Sequence, residues 1–192
     1  MHGIIFAELR KYVTARLGEE AWKALLTEAA VPTSAYLANR EYPDAEMVTL
    51  VATASRMTGR PQQALLEDFG EFIAPDLMRM FHVLIERPWR TLDVIEHTEG
   101  VIHAAVRIKN PGARPPELKC RRASADEVVI TYTSARRLCA VAKGIARGVA
   151  AHYGDQIVIR EERCMLEGHP SCEIAIRVVA GLSPSIRPTR TA

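Results

Sequence analysis

No stretch of the 192-residue chain approaches the roughly 20 consecutive apolar residues that span a bilayer. The start, Met1-His2-Gly3-Ile4-Ile5-Phe6, lacks the basic region and cleavage site of a secretory signal. Both absences point to a cytoplasmic protein with no membrane partner. Charge of one sign is lacking too: 25 Lys and Arg face 23 Asp and Glu, and a formal +2 gives no global pull toward nucleic acid or an anionic surface. Cysteine is too scarce for a disulfide scaffold, and the four present suit free thiols, metal ligands or redox centres in a reducing compartment. No internal repeat or low-complexity segment interrupts the chain. No Ser/His/Asp order, phosphate loop or paired acids with a common pocket stands out, so an enzyme is not expected.

What is present is enough for one compact unit, with 48% hydrophobic residues to fill its core. The pattern changes once, near residue 110. Before it, apolar side chains recur at three and four residues over 2–17, 19–29 and Asp44 to Thr58, the last after a Tyr-Pro-Asp start signal. Pro61 opens a further helix until Pro75 interrupts it, a segment through Leu77, Met80 and Leu84 follows, and Thr91 to Ile108 reads as helix. After the Pro111-Gly112 and Pro115-Pro116 turn, Glu127 to Tyr132, Gln156 to Arg160 and Cys172 to Val178 carry strand patterns around one long helix, Ser134 to Tyr153. The expected fold is α+β. A helical part over about 1–110 packs on an antiparallel sheet of about four strands over about 111–180, and 181–192 reads as a flexible tail.

The most informative stretch is Tyr132-x-Ser134-x-Arg136, whose alternate positions can reach one side of an extended backbone. Arg binds a carboxylate through two parallel hydrogen bonds, and neutral Tyr and Ser add donors without adding charge. Such a trio suits an acid with more than one carboxylate. The plainer alternative is a strand end followed by a helix that Ser134 caps.

Two histidines, His97 and His103, lie on the helix before the proline turn and offer imidazole ligands for iron or another transition metal. Periodicity does not decide which faces a pocket, because Val94 and Val101 flank His97 while Val106 and Glu99 share the face of His103. Cys139, Cys164 and Cys172 form a second constellation, with the last two around a Gly- and Pro-containing turn. A zinc knuckle and a set of metal-free, redox-responsive thiols are both compatible with that spacing. Cys120 stands apart and is read as structural.

Met1-His2-Gly3-Ile4-Ile5, His103, the Pro111-Gly112 and Pro115-Pro116 turn and Tyr132-x-Ser134-x-Arg136 occur in an order that resembles the haem nitric oxide/oxygen binding (H-NOX) family, over roughly residues 1–180. The family is related to the haem domain of soluble guanylate cyclase. The resemblance implies haem b, with His103 as axial iron ligand and Tyr132, Ser134 and Arg136 holding the propionates. It implies Ile5 and Pro116 pressing on the porphyrin, with Leu138 and Ile145 as further wall residues. Val141 stands where oxygen-holding members carry a distal tyrosine, which implies a sensor of nitric oxide that also binds carbon monoxide and forms no stable oxygen complex. In the implied mechanism nitric oxide weakens or breaks the iron–histidine bond, and a separate histidine kinase or cyclic-dinucleotide enzyme reads the change. Some bacterial relatives hold zinc with four cysteines, and Cys139, Cys164 and Cys172 resemble three of them. The fourth position is Glu161 here, so Glu161 or His169 completes the site, or the site is lost.

An alternative resemblance, to haem-free vinyl-reductase-like domains that bind organic effectors, rests on Cys164-x-x-x-Gly168-x-x-x-Cys172 alone. It covers only the second half and leaves His103 and the Pro-Pro turn unexplained.

Overall fold

The computed structural model describes residues 1–33 and 35–179, so the tail expected over 181–192 lies outside the described residues. Four helices come first: α1 (Gly3–Leu17), α2 (Glu19–Ala29), α3 (Asp44–Thr58) and α4 (Gln62–Met80). Their apolar faces meet in a core built on Phe6, Trp22, Leu25, Met47, Leu50, Leu66, Phe69 and Ile73. Pro75 lies inside α4 and does not end it, contrary to the break expected there. One helical hydrogen bond is lost at a proline. The buried residues on both sides of it, Ile73, Ala74 and Met78, hold the helix through the gap.

Where one helix was expected over Thr91 to Ile108, the backbone forms α5 (Thr91–His97), a π-helical turn over Thr98–His103, and α6 (Ala104–Lys109). The Ala104 N–H reaches the Glu99 carbonyl, five residues back. α5 meets the preceding helices only through Val94, which is buried with Met78 of α4 and Val149. Leu92 and Ile95 enter the sheet's core instead, so the division by packing does not follow the division by sequence at residue 110.

The sheet is antiparallel with strands β1 (Glu117–Ser124), β2 (Glu127–Thr133), β3 (Gln156–Arg163) and β4 (Cys172–Val179) in the order β1-β2-β4-β3. The inward face carries Val128, Ile130 and Tyr132 from β2 and Cys172, Ile174 and Ile176 from β4, as alternation requires. β1 escaped sequence reading because it is a charged edge strand. Only Leu118, Cys120 and Arg122 turn inward, and Arg122 gets there by pairing with Asp93 and Glu96 of α5.

The remaining helix, α7 (Cys139–Tyr153), starts five residues later than the expected Ser134. It belongs to the second half of the sequence but lies along α4. Three glycines make that approach possible. A Cβ at Gly144 would collide with the Glu67 carbonyl, one at Gly70 with the Val141 carbonyl, and one at Gly148 with the Ala74 methyl. Across the seam Glu67 accepts from Arg147 at 2.6 Å and lies 3.1 Å from Lys143. Gly144→Ala should therefore destabilise the protein by about 2 kcal/mol, since overpacking against backbone exceeds the ~1 kcal/mol gained in helix propensity. Thermal unfolding should show a melting temperature lower by about 5 °C. An unchanged melting temperature would mean that the helices are not held at this distance.

Candidate functional site

The two candidate histidines part company in the fold. His97 is exposed, with its ring stacked on Trp89 at a centroid distance of 4.5 Å. His103 is mostly covered, and its Nδ1 lies 2.9 Å from Glu99 Oε2. An ionised carboxylate only accepts, so Nδ1–H donates and the lone pair of Nε2 is left free for a metal. Burial lowers the His103 pKa and outweighs the opposing pull of Glu99, which keeps the ring neutral and fit to ligate. The backbone carbonyl of Pro116 lies against the same imidazole.

Glu99 also accepts from Arg107 at 2.6 Å and from the Leu118 backbone N–H at 3.1 Å. Burial would raise its pKa, but hydrogen bonds from His103, Arg107 and Leu118 outweigh burial and hold it below the ordinary value. No residue from Thr98 to Lys109 is fully buried, although the segment contains Val101, Ile102, Val106 and Ile108. This is an apolar strip that the protein's own side chains cover only in part.

Tyr132 sits between Leu118 of β1 and Cys172 of β4 and is 2% exposed. Burial pushes its hydroxyl up to about 12, so it stays a neutral donor. The strand ends at Thr133, so Ser134 and Arg136 lie in the turn before α7 and not on an extended chain with Tyr132. Ser134 Oγ accepts from the Arg136 N–H at 3.2 Å, and Arg137 takes a left-handed conformation with φ 51°. Leu138, not Ser134, occupies the cap position of α7. The alternative of a Ser134 cap therefore fails, and Oγ accepts within the turn instead.

Arg136 donates from Nε to Asp44 Oδ2 at 2.9 Å and from its terminal nitrogen to the Arg114 carbonyl. Asp44 Oδ1 lies 2.7 Å from the N-terminal ammonium. Sequence reading used Asp44 only as a helix start. The guanidinium is thereby aimed by an internal carboxylate and keeps further N–H donors for a ligand. Ile5, Leu138, Val141 and Ile145 are half-buried at the rim of the helical core.

The cysteines gather as well. Cys139, Glu161, Cys164 and Cys172 place one ligand atom each within 4.8 Å of one another. Cys164 Sγ is 3.8 Å from that of Cys139 and 3.9 Å from that of Cys172, near the ~3.8 Å that tetrahedral zinc with bonds of about 2.3 Å requires. Glu161 follows Ile157 and Ile159 on the inward face of β3. One of its oxygens is buried without a partner, while the other accepts from Lys143 at 2.9 Å. His169, the other candidate for the fourth position, is exposed in the turn and outside this group. The strand alternation that carries Glu161 inward was a signal available in sequence. Burial raises the thiol pKa values of Cys139 and Cys172. Cys120 is separate on β1, 3.5 Å from the Ile95 carbonyl, and burial pushes its thiol up to about 11.

The family profile described as haem-NO-binding (HNOB) matches residues 2–161. The chain belongs to this H-NOX family. The match runs through both halves and takes in His103 and the Pro-Pro turn, which the vinyl-reductase-like alternative left unexplained. An H-NOX protein from Shewanella oneidensis, solved in its Fe(II)NO state, is 26% identical with a TM-score of 0.87, covering 94% of this chain and 100% of that one. The fold is also shared with the Fe(II) unliganded H-NOX protein from K. algicida, 21% identical with a TM-score of 0.85, over 95% of this chain and 99% of that one. A soluble guanylate cyclase from Caenorhabditis elegans, gcy-31, is 21% identical over 138 residues, which are 71% of this chain and 20% of the cyclase. The chain thus spans about a fifth of that relative. Among the described residues no helix is long and apolar enough to cross a membrane.

The Asp44 carboxyl is held below its ordinary pKa by the N-terminal ammonium and Arg136, which together outweigh burial. A depressed carboxylate pKa contributes stability above its unfolded value of about 3.9, and that contribution is lost as pH falls through the folded value. Since the Asp44 side chain is 46% exposed, Asp44→Asn should cost no more than about 1 kcal/mol at pH 7. Urea unfolding should show the difference from the parent shrinking below pH ~4. A difference that persists unchanged at pH 2 would mean that the carboxylate charge is not what Arg136 reads.

Proposed function

We propose that this protein is a haem-based gas sensor and not an enzyme. The observation that supports the proposal is the His103 imidazole, oriented through Nδ1 by Glu99 beside a half-covered apolar strip; Tyr132, Ser134 and Arg136 are the proposed propionate donors. A haem fits this donor set: one neutral imidazole, apolar surface and a cluster of donors for two carboxylates. In this reading His103 holds the iron of haem b, Ile5, Pro116, Leu138, Val141 and Ile145 supply the walls, and Tyr132, Ser134 and Arg136 fix the propionate edge.

A haem held there would supply a ferrous iron able to bind nitric oxide or carbon monoxide, with His103 as its protein ligand. Val141 offers no hydroxyl to stabilise charge on bound oxygen, which supports selectivity for the other two gases. His103 would link that iron to the turn that joins α5 to α6, so a change in its bond would act on this turn. That segment touches β1 through Glu99 and Leu118, so the effect would reach the sheet. The effector is a separate protein, with a histidine kinase or a cyclic-dinucleotide enzyme as the candidate classes and the cytoplasm as the compartment.

Zinc is the second proposed cofactor, held by Cys139, Cys164, Cys172 and Glu161. The unpartnered buried oxygen of Glu161 supports a metal ion at this point. The three thiols lose protons as the ion binds, so its affinity falls at low pH.

Purified protein should carry a Soret band that is lost or reshaped in His103→Ala, and a colourless protein that cannot be reconstituted with haem refutes the sensor reading. Ferrous protein in air should show no lasting oxy spectrum. Metal analysis of the same sample should find zinc at one per chain, falling roughly 10-fold or more in retention in Glu161→Ala. Protein free of zinc after expression in zinc-supplemented medium would remove the second cofactor and leave the first untouched.

A further inference from the structure

Glu99 stands apart from the groups so far given roles, because it has no donors of its own and three different elements donate to it. Its Oε2 lies 2.9 Å from His103 Nδ1 and 3.1 Å from the Leu118 N–H, and its Oε1 lies 2.6 Å from an Arg107 nitrogen. Glu99 and His103 are the second and last residues of the π-helical turn, the one stretch of the rod from Thr91 to Lys109 where the backbone leaves the α-helical pattern. Such turns are uncommon and recur at functional sites. A surface ion pair four residues apart needs no such distortion. Here the pair is largely covered, with side-chain exposures of 14% and 26%.

We propose that Glu99 is the positioning residue that sets the strength of the iron–His103 bond. This rests on the haem reading above and goes further, because it assigns the threshold at which His103 lets go. A carboxylate that accepts from the far nitrogen of a metal-bound imidazole fixes its tautomer and ring orientation and makes it a stronger ligand. Charge-assisted hydrogen bonds of this kind are about twice as strong as neutral ones. Arg107 works in the opposite sense. By sharing the carboxylate's charge it weakens the pull on His103, so the ligand strength is a balance between two side chains eight residues apart.

The Leu118 contact extends the consequence. Glu99 is bonded at once to the ligand and to the first strand of the sheet, so His103 moves away from the iron only by turning against a group anchored in β1. A strain at the imidazole is therefore passed to β1 at the same residue that sets its size.

The test uses the ferrous, haem-loaded protein and reads the iron–histidine stretch by resonance Raman spectroscopy and the coordination number of the nitrosyl complex by electron paramagnetic resonance. Glu99→Gln keeps the shape and removes the charge. The stretch should move to lower frequency and the ratio of five- to six-coordinate nitrosyl should rise roughly 10-fold. Arg107→Ala leaves the contact and unmasks the charge, so both readouts should move the other way. A role limited to holding the helix on the sheet would shift both variants in the same direction or neither, and either result overturns the proposal. Should Glu99→Gln fail to fold, Arg107→Ala alone decides, since only a charge effect strengthens the bond. A wild-type stretch that disappears in His103→Gly supports the haem reading whatever Glu99 does, and failure of the wild type to bind haem overturns both.

Discussion

The approach of α7 to α4 is the constraint on which the remaining geometry depends. Gly70, Gly144 and Gly148 remove the side chains that would separate the two helices, and no other residue type gives backbone-to-backbone contact at those points. α7 is the strut that joins the two cores. Its Ala140 is buried with the helical cluster, while its Cys139 and Ala146 are buried with the sheet. Val141 and Ile145 are held at the rim because the glycines fix the helix's height above α4. Glu67 then locks the rotation by accepting from Arg147 while lying 3.1 Å from Lys143.

A second theme is the use of internal carboxylates to aim cationic or donor groups. Asp44 holds Arg136, Glu99 holds His103, and Glu161 is held by Lys143. Each pairing is half-buried, where a charge left alone is expensive and a paired one is directional. None of these acids is itself a haem ligand in the proposed site. Asp44 and Glu99 remove rotational freedom from Arg136 and His103, while Glu161 is itself fixed by Lys143 beside the thiols.

The helices were readable where periodicity is uninterrupted, as in α1, α2 and α3, and the strands where Val and Ile alternate, as in β2 and β4. The site residues were readable as a family pattern but not as geometry. Tyr132-x-Ser134-x-Arg136 suggested alternation along a strand, whereas β2 stops at Thr133 and Ser134 and Arg136 lie in a turn that ends in a left-handed Arg137. Pro75 suggested a break that the packing of α4 on α7 overrides. Asp44 was invisible as a partner because Arg136 lies 92 residues away, and nothing local in either segment announces such a pairing. The π-helical turn was equally hidden, since nothing in the composition of Thr98–His103 announces it and the Leu118 N–H that Glu99 accepts comes from 19 residues away.

The clamp and the thiol cluster are not independent sites. Tyr132 and Cys172 are register partners across β2 and β4, and both side chains point into the same core. From Arg136 the chain needs only three residues to reach Cys139, through the turn that fixes Ser134. The Met165 N–H donates to Cys172 Sγ at 3.2 Å, which ties the β3–β4 turn to the same sulfur. A change in the spacing of Cys139 and Cys172 therefore has two rigid routes to the clamp, one through the strand pair and one through the start of α7. The thiol cluster and the Tyr132 to Arg136 segment therefore share one rigid frame, built from the β2–β4 pair and the start of α7.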